Sequence, residues 1–251
     1  MTYFIELANR VVEIDSPYAH IPFWGKDYLL DPNLQITADI RISVTLEDIL
    51  REAEKHKLID QQNMLIAYHS LQGIEYESII IHNKIAEAII SYDTILFHGS
   101  VVKTAEHAYV FSAPSGTGKS RRTKIWMEEF AGSIVINGDK PFLSIKKDVI
   151  YAYGTPWCGK EGWNTNTKAP LRAFFLLERT EEGEKSSIKE LSFSEAFVSL
   201  LQQTYWPEKP EAKRKTLQLL KAMEGKVKFY RLRSDLSPEA IHLAYETACP
   251  K

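Results

Sequence analysis

The chain has 251 residues, 44% of them apolar and 25% charged, the balance of an ordinary globular protein with room for a sizeable core. Its 31 basic and 33 acidic residues leave a net charge of -2, which argues against nucleic acid or an anionic membrane as the principal partner. Two cysteines, Cys158 and Cys249, do not make a disulfide framework. The amino terminus has no basic start followed by an apolar run, and runs such as "SIII" and "TILF" are too short to span a bilayer, so a cytoplasmic setting is expected.

Residues 1–90 read as a small β-rich accessory region of short strands, with one helix near "TLEDILREAEKHK". Thr45 and Asp48 have capping-box spacing, and Leu46, Ile49, Leu50 and Ala53 form one apolar stripe. No residue here carries recognisable chemistry, and the region is expected to pack on a core or to recognise a substrate. Residues 91–251 are expected to form that core.

Two β-rich runs open it, roughly 94–103 and 108–112, separated only by "TAEH". So short a connection permits an antiparallel hairpin, whereas a parallel partner needs a crossover of about a dozen residues. The second run leads into "SAPSGTGKS", which fits the phosphate-loop pattern G-x-x-x-x-G-K-[ST] except that Ala113 stands at the first glycine. A glycine-rich turn between a strand and a helix aims several backbone N–H groups at one point, beside the positive end of the helix dipole. Ser115, Gly116, Thr117, Gly118, Lys119 and Ser120 are therefore the expected phosphate cradle, with Lys119 reaching the β- and γ-phosphates and Ser120 ligating Mg²⁺. At positive φ Ala113 would be strained by roughly 1 kcal/mol, but Pro114 biases it towards extended backbone of negative φ, where the swap costs little.

After the loop, "SRRTKIWMEEF" reads as a helix and "SIVIN" as a buried strand ending at "GDKP". Asp139, nineteen residues past Ser120, can bind Mg²⁺ there or take the proton of an attacking hydroxyl; the bland alternative, with Gly138 and Lys140-Pro141 beside it, is a plain turn residue. His98, in "FHGS", would lie beside the loop strand if the hairpin forms, able to contact a γ-phosphate or the base, or to serve as a structural histidine. The stretch "GTPWCGKEGWNTNTKAP" reads as a long loop. Lys160 on it can close over a transferring phosphoryl group, with Asn164 and Asn166 orienting an acceptor, unless the stretch is merely polar.

Further on, "LRAFFLLER" reads as a strand and "TEEGEKSSIKE" as a solvated connector. "SFSEAFVSLLQQTYWP" is a helix with a Ser192–Glu195 capping box, stopped by Pro207, and a second helix covers about 210–224. "VKFYRLR" is a strand, and the last helix has Ser237 as cap, Pro238 in its first turn and Ile241, Ala244, Tyr245 and Ala248 facing inward.

Together, "LFHGSVV", "SAPSGTGKS", "VINGDKP" and "YGTPWCGKEGWNTNTKAPL" resemble the HPr kinase/phosphatase-related proteins, within the phosphoenolpyruvate carboxykinase-like group of P-loop kinases. The likeness covers roughly residues 92–180 and implies an α/β fold, a mixed-sheet P-loop kinase core following the β-rich amino-terminal region. It implies that His98 matches the family's histidine upstream of the loop, that residues 115–120 match its phosphate loop, and that Asp139 matches one aspartate of an acidic pair. HPr kinases have two adjacent aspartates there, and this chain has Gly138-Asp139, so one carboxylate must share metal binding and base duty or a substrate group must supply the missing ligand.

The activity so implied is ATP- and Mg²⁺-dependent transfer of the γ-phosphoryl group to a hydroxyl of a peptide or protein serine, such as that of a lasso-peptide precursor. HPr protein and a small hydroxylated metabolite are the alternative acceptors. A small oxaloacetate carboxykinase and a nucleotide-binding sensor or scaffold without turnover are the alternative activities. Asp139, His98, Lys119 and Lys160 are the catalytic candidates, Ser120 and Asp139 the metal ligands, and homo-oligomerisation is left open.

Overall fold

Ala8 and Asn9 both have positive φ (51° and 60°) and close the first hairpin of the computed structural model, since two successive left-handed residues are what a type I′ turn requires. The structure describes residues 1–31, 33, 36–55, 71–114, 116–180 and 184–249, and the chain divides into two units, Met1–Ile89 and Ile90–Lys251.

In the first unit the hairpin joins β1 (Thr2–Leu7) to β2 (Arg10–Asp15). A short helix, α1 (Ile21–Trp24), follows, and β3 (Ile40–Ser43) then pairs parallel with β2. Helices α2 (Leu46–Lys55) and α3 (Leu71–Ala88) complete the unit. Alternate strand residues Ile5, Leu7, Val12 and Ile14 are buried, together with Ile49 and Ala53 of α2 and Ile81 and Ile85 of α3. The capping box of α2 forms with aspartate in place of glutamate: Thr45 N–H donates to Asp48 Oδ2 (3.0 Å) and Asp48 N–H to Thr45 Oγ1 (3.2 Å). Leu46, however, is 46% exposed, and Glu52 is buried instead.

The 18-residue α3 corrects the expectation of strands in this region. Its isoleucine run looks like a strand locally. Ile80, Ile81 and Ile85 are all buried, and that burial outweighs the small helix penalty of a β-branched side chain.

The second unit is built on a nine-stranded mixed sheet. Its elements run β4 (Thr94–Leu96), β5 (Ser100–Thr104), β6 (His107–Ser112), α4 (Lys119–Glu129), β7 (Ile134–Asn137), β8 (Phe142–Ile145) and β9 (Ile150–Tyr153). There follow β10 (Lys168–Arg179), β11 (Ser187–Leu191), α5 (Phe193–Gln203), α6 (Pro210–Lys221), β12 (Lys228–Ser234) and α7 (Pro238–Ala248). The sheet order is β4-β8-β9-β10-β6-β5-β7, with β12 also on β10 and β11 on β12. The expected hairpin is present: β5 and β6 are antiparallel, with Val101 opposite Val110 and Ala105 turning the chain at φ 51°. On its other side β6 runs parallel to β10, and β10 runs parallel to β12. The strand that feeds the loop thus has one antiparallel and one parallel neighbour.

Strand alternation sends side chains to two layers. Val110, Phe174 and Phe229 pack with Ala196 and Leu200 of α5 and Leu219 and Leu220 of α6. Tyr109, Phe111, Phe175 and Tyr230 pack with Trp126 of α4 and Ile241 and Ala244 of α7. Helices therefore cover both faces of the sheet, a three-layer α/β architecture.

Four local expectations are corrected. The run 94–103 breaks in two, because His98 N–H turns to Gln203 O (2.6 Å) and Gly99 N–H to Asp139 O (3.0 Å), so that β4 pairs with β8 and β5 with β6. Residues 187–191, read as connector, form β11 on β12. Helix α5 ends at Gln203 rather than at Pro207, since Thr204 turns extended and bridges Phe97. The strand β7 lies at the end of the sheet path, with Ile134 36% exposed. Among the described residues no helix is long and apolar enough to cross a membrane. Cys158 and Cys249 are both free thiols.

Glu77 on α3 is fully enclosed. Its Oε1 accepts the Ser16 hydroxyl and its Oε2 has no hydrogen-bond partner among the described residues. Burial, against the opposing charge of the Met1 amino group, pushes its pKa from an ordinary 4.5 up to about 7. The folded unit therefore holds the proton more tightly than the unfolded chain does. The stability this contributes is fully present below pH 4.5 and is lost as pH rises through about 7. Amide-exchange protection across β1–β3 is expected to fall over that window in the native chain and to lose this dependence in Glu77→Gln.

Candidate functional site

The chain leaves the sheet at the end of β6 and re-enters regular structure at α4, whose N-cap is Gly118. Gly116 and Gly118 take positive φ (79° and 97°), a conformation that favours glycine, whereas Ala113 keeps negative φ and is buried. The alanine at the first position of the loop pattern is therefore unstrained. Thr117 Oγ1 donates to Pro114 O (2.9 Å), tightening the turn. Ser115, expected in the cradle, lies outside the described residues. Lys119 opens α4 and is buried, its Nζ donating to Ala113 O at 2.9 Å. Burial lowers its pKa, Asp139 opposes the shift and Lys140 adds to it. Ser120 follows, half-exposed, in the first turn of the helix.

Asp139 stands on the turn after β7, held by the enclosed side chain of Asn137. Asn137 Oδ1 accepts from Asp139 N–H (2.8 Å) and Lys140 N–H (2.6 Å), while its Nδ2 donates to Thr155 O (3.0 Å) and Oγ1 (3.1 Å). Asp139 Oδ1 lies 3.1 Å from His98 Nε2, each side chain being about one-third exposed. Burial alone would raise the Asp139 pKa. The His98 hydrogen bond and the charges of Lys140 and Lys119 outweigh it and hold the carboxyl below the usual range. His98 and Asp139 are thus in contact, and Lys119 lies near enough for its charge to act on the carboxylate.

The remaining candidates are placed differently. Lys160 is exposed on a turn flanked by Gly159 and Gly162, both of positive φ (79° and 67°). That turn lies against Asp139, for a Cβ on Gly159 would come within 3.1 Å of Asp139 Cβ. Asn164 does not present a free amide: its Nδ2 donates to Thr155 O at 3.0 Å, and its backbone bridges Asn137. Asn166 is exposed. Cys158, just before this turn, has its pKa raised by burial and by the Asp139 charge.

Gly138, next to Asp139, sits where two segments pack closely. A Cβ there would fall 2.7 Å from Cys158 O, a backbone atom, and Gly138 N–H donates to Trp163 O at 2.8 Å. The segment 157–163 packs so close that residue 138 has no room for a side chain. Mg²⁺ is usually held by one or two carboxylates together with substrate phosphates, and the Ser120 hydroxyl and Asp139 carboxylate are oxygen donors of the kind it takes. Among the described residues no group of three acidic, histidine or cysteine side chains is arranged to hold a metal.

Sequence reasoning missed Asn137, Lys140 and the arginines Arg122 and Arg179. Asn137 had a signal, since asparagine before glycine at a strand's end is a turn-former; the other three had none.

No family model and no curated protein matches the chain. Among solved structures, the Hpr(Ser) kinase/phosphatase from Coxiella burnetii aligns over 61% of this chain and 94% of that one, at 8% identity and a TM-score of 0.37. The likeness is too slight to assign an activity.

Gly138→Asp, which would place a second carboxylate beside Asp139, is expected to cost about 1–3 kcal/mol by overpacking. It should lower the melting temperature and speed amide exchange in segment 157–165. An unchanged melt and exchange pattern would show that the segment yields.

Proposed function

We propose that the chain is an ATP-dependent kinase that transfers the γ-phosphoryl group to the hydroxyl of a peptide or protein serine. The observation that carries this reading is the His98–Asp139 pair, 3.1 Å apart, set close enough to Lys119 for the lysine charge to act on the carboxylate. Loop amides at the start of α4, with Lys119, hold the β- and γ-phosphates. Ser120 and Asp139 would hold Mg²⁺, which would offset the charge of the phosphates. Asp139, kept ionised by His98 and the lysines, accepts the proton as the acceptor oxygen bonds to the γ-phosphorus and the bond to the ADP leaving oxygen breaks. His98 orients the carboxylate, and Lys160, on its exposed turn, neutralises the transferring group. The one-third exposure of Asp139 and His98 leaves an approach for a side chain from another molecule. The choice of a serine acceptor rests on the resemblance of the sequence motifs.

The single carboxylate beside Gly138 favours a second reading, a nucleotide-binding sensor without turnover. Mass spectrometry of serine peptides incubated with ATP and Mg²⁺ separates the two. The kinase reading expects a gain of one phosphate with the native chain. It expects transfer about 10²- to 10⁴-fold slower in Asp139→Asn with ATP affinity nearly unchanged, and lost affinity in Lys119→Ala. Normal transfer by Asp139→Asn removes the base assignment. ATP binding with no phosphorylated product across the peptide set favours the sensor.

A further inference from the structure

Arg122, in the second turn of α4, has a guanidinium shut off from solvent beneath the phosphate loop. Its Nη1 donates to Thr117 O (2.8 Å) and Gly118 O (3.4 Å), and its Nη2 to Ser234 O (2.9 Å) at the end of β12 and Glu178 O (3.5 Å) near the end of β10. Arg179, exposed at the last position of β10, donates from Nη2 to Gly116 O at 2.5 Å. Three successive loop carbonyls therefore face guanidinium groups. A trans peptide unit points its C=O and the next residue's N–H in opposite directions. Drawing Thr117 O and Gly118 O down onto Arg122 thus aims the N–H groups of Gly118 and Lys119 away from it, up into the turn.

The charge has a consequence of its own. Asp235 acts on Arg122 only through space, and among the described residues neither Arg122 nor Arg179 has a carboxylate within ion-pair distance. Arginine keeps its proton in proteins, so the Arg122 guanidinium is charged at neutral pH. A buried cation without a counter-ion favours an anion nearby. Leu236 adds a third tie: it adopts positive φ (66°), rare for leucine, and its Cδ2 lies 3.4 Å from where a Gly118 Cβ would stand, so the turn after β12 packs on the loop.

We propose that Arg122 is a positioning residue for phosphate binding: by holding the Thr117 and Gly118 carbonyls it orients the loop amides, and by its charge it raises the loop's affinity for a diphosphate or triphosphate group. Arg179 assists at Gly116. The inference rests on the loop being a phosphate cradle, and not on phosphoryl transfer.

The test is calorimetry of inorganic pyrophosphate and ADP binding to the full chain. Arg122→Ala is expected to weaken both by about 10- to 100-fold, with millimolar guanidinium restoring binding. Arg122→Lys, which keeps the charge without the planar fork, should stay weak, and Arg179→Ala should show a smaller loss. A folded Arg122→Ala or Arg122→Lys that binds pyrophosphate as tightly as the native chain overturns the proposal. Should neither variant fold, the guanidinium resonances of Arg122 in the native chain decide: pyrophosphate must shift them, and an unmoved signal on saturation overturns the proposal. A native chain that binds pyrophosphate but phosphorylates nothing refutes the kinase reading and leaves Arg122 in place; one that does not bind pyrophosphate overturns both.

Discussion

The enclosed amide of Asn137 decides where the candidate base stands. Its oxygen accepts two backbone N–H groups, from Asp139 and Lys140, and its two N–H bonds go to the backbone and hydroxyl oxygens of Thr155. Every donor and acceptor of the side chain is used, which is the condition under which a buried polar group stabilises instead of costing free energy. Thr155 closes the circuit by donating its hydroxyl to Lys140 O at 2.7 Å. One side chain thus ties the turn after β7 to the residues just after β9 and presents Asp139 to His98.

That circuit requires close backbone approach, and glycine supplies it at two positions. A Cβ on Gly154 would fall 2.1 Å from Thr165 O, and one on Gly138 would fall 2.7 Å from Cys158 O. The segment 154–165 is a folded-back layer, pinned by Gly138 N–H to Trp163 O and Thr165 N–H to Ile136 O. Its composition, rich in glycine, asparagine and threonine, suggests a loose loop; packed against β7, it is the wall of the site.

The legible parts of the fold are those governed by short-range chemistry. The hairpin of β5 and β6 followed from the length of "TAEH", and the loop from glycine and lysine spacing before a helix. The Ser192 capping box formed as its sequence dictates. What was not legible depends on partners far along the chain. The break of the run 94–103 is set by Gln203 and Asp139, α3 by the burial of its isoleucines, and the role of Arg122 by carbonyls of Glu178 and Ser234. None of those partners leaves a mark on the local pattern.

The two departures from the familiar motifs then have different physical meanings. Ala113 replaces glycine where φ is negative, so the backbone never required glycine and the loop keeps its shape. At Gly138 the carbonyl of Cys158 occupies the space a side chain would need. Asp139 faces the charges of Lys119 and Lys140, and Arg122, on which the charges of Arg179 and Asp235 act, is a further cation beneath the loop. These lysine and arginine side chains are cations placed to attract polyphosphate.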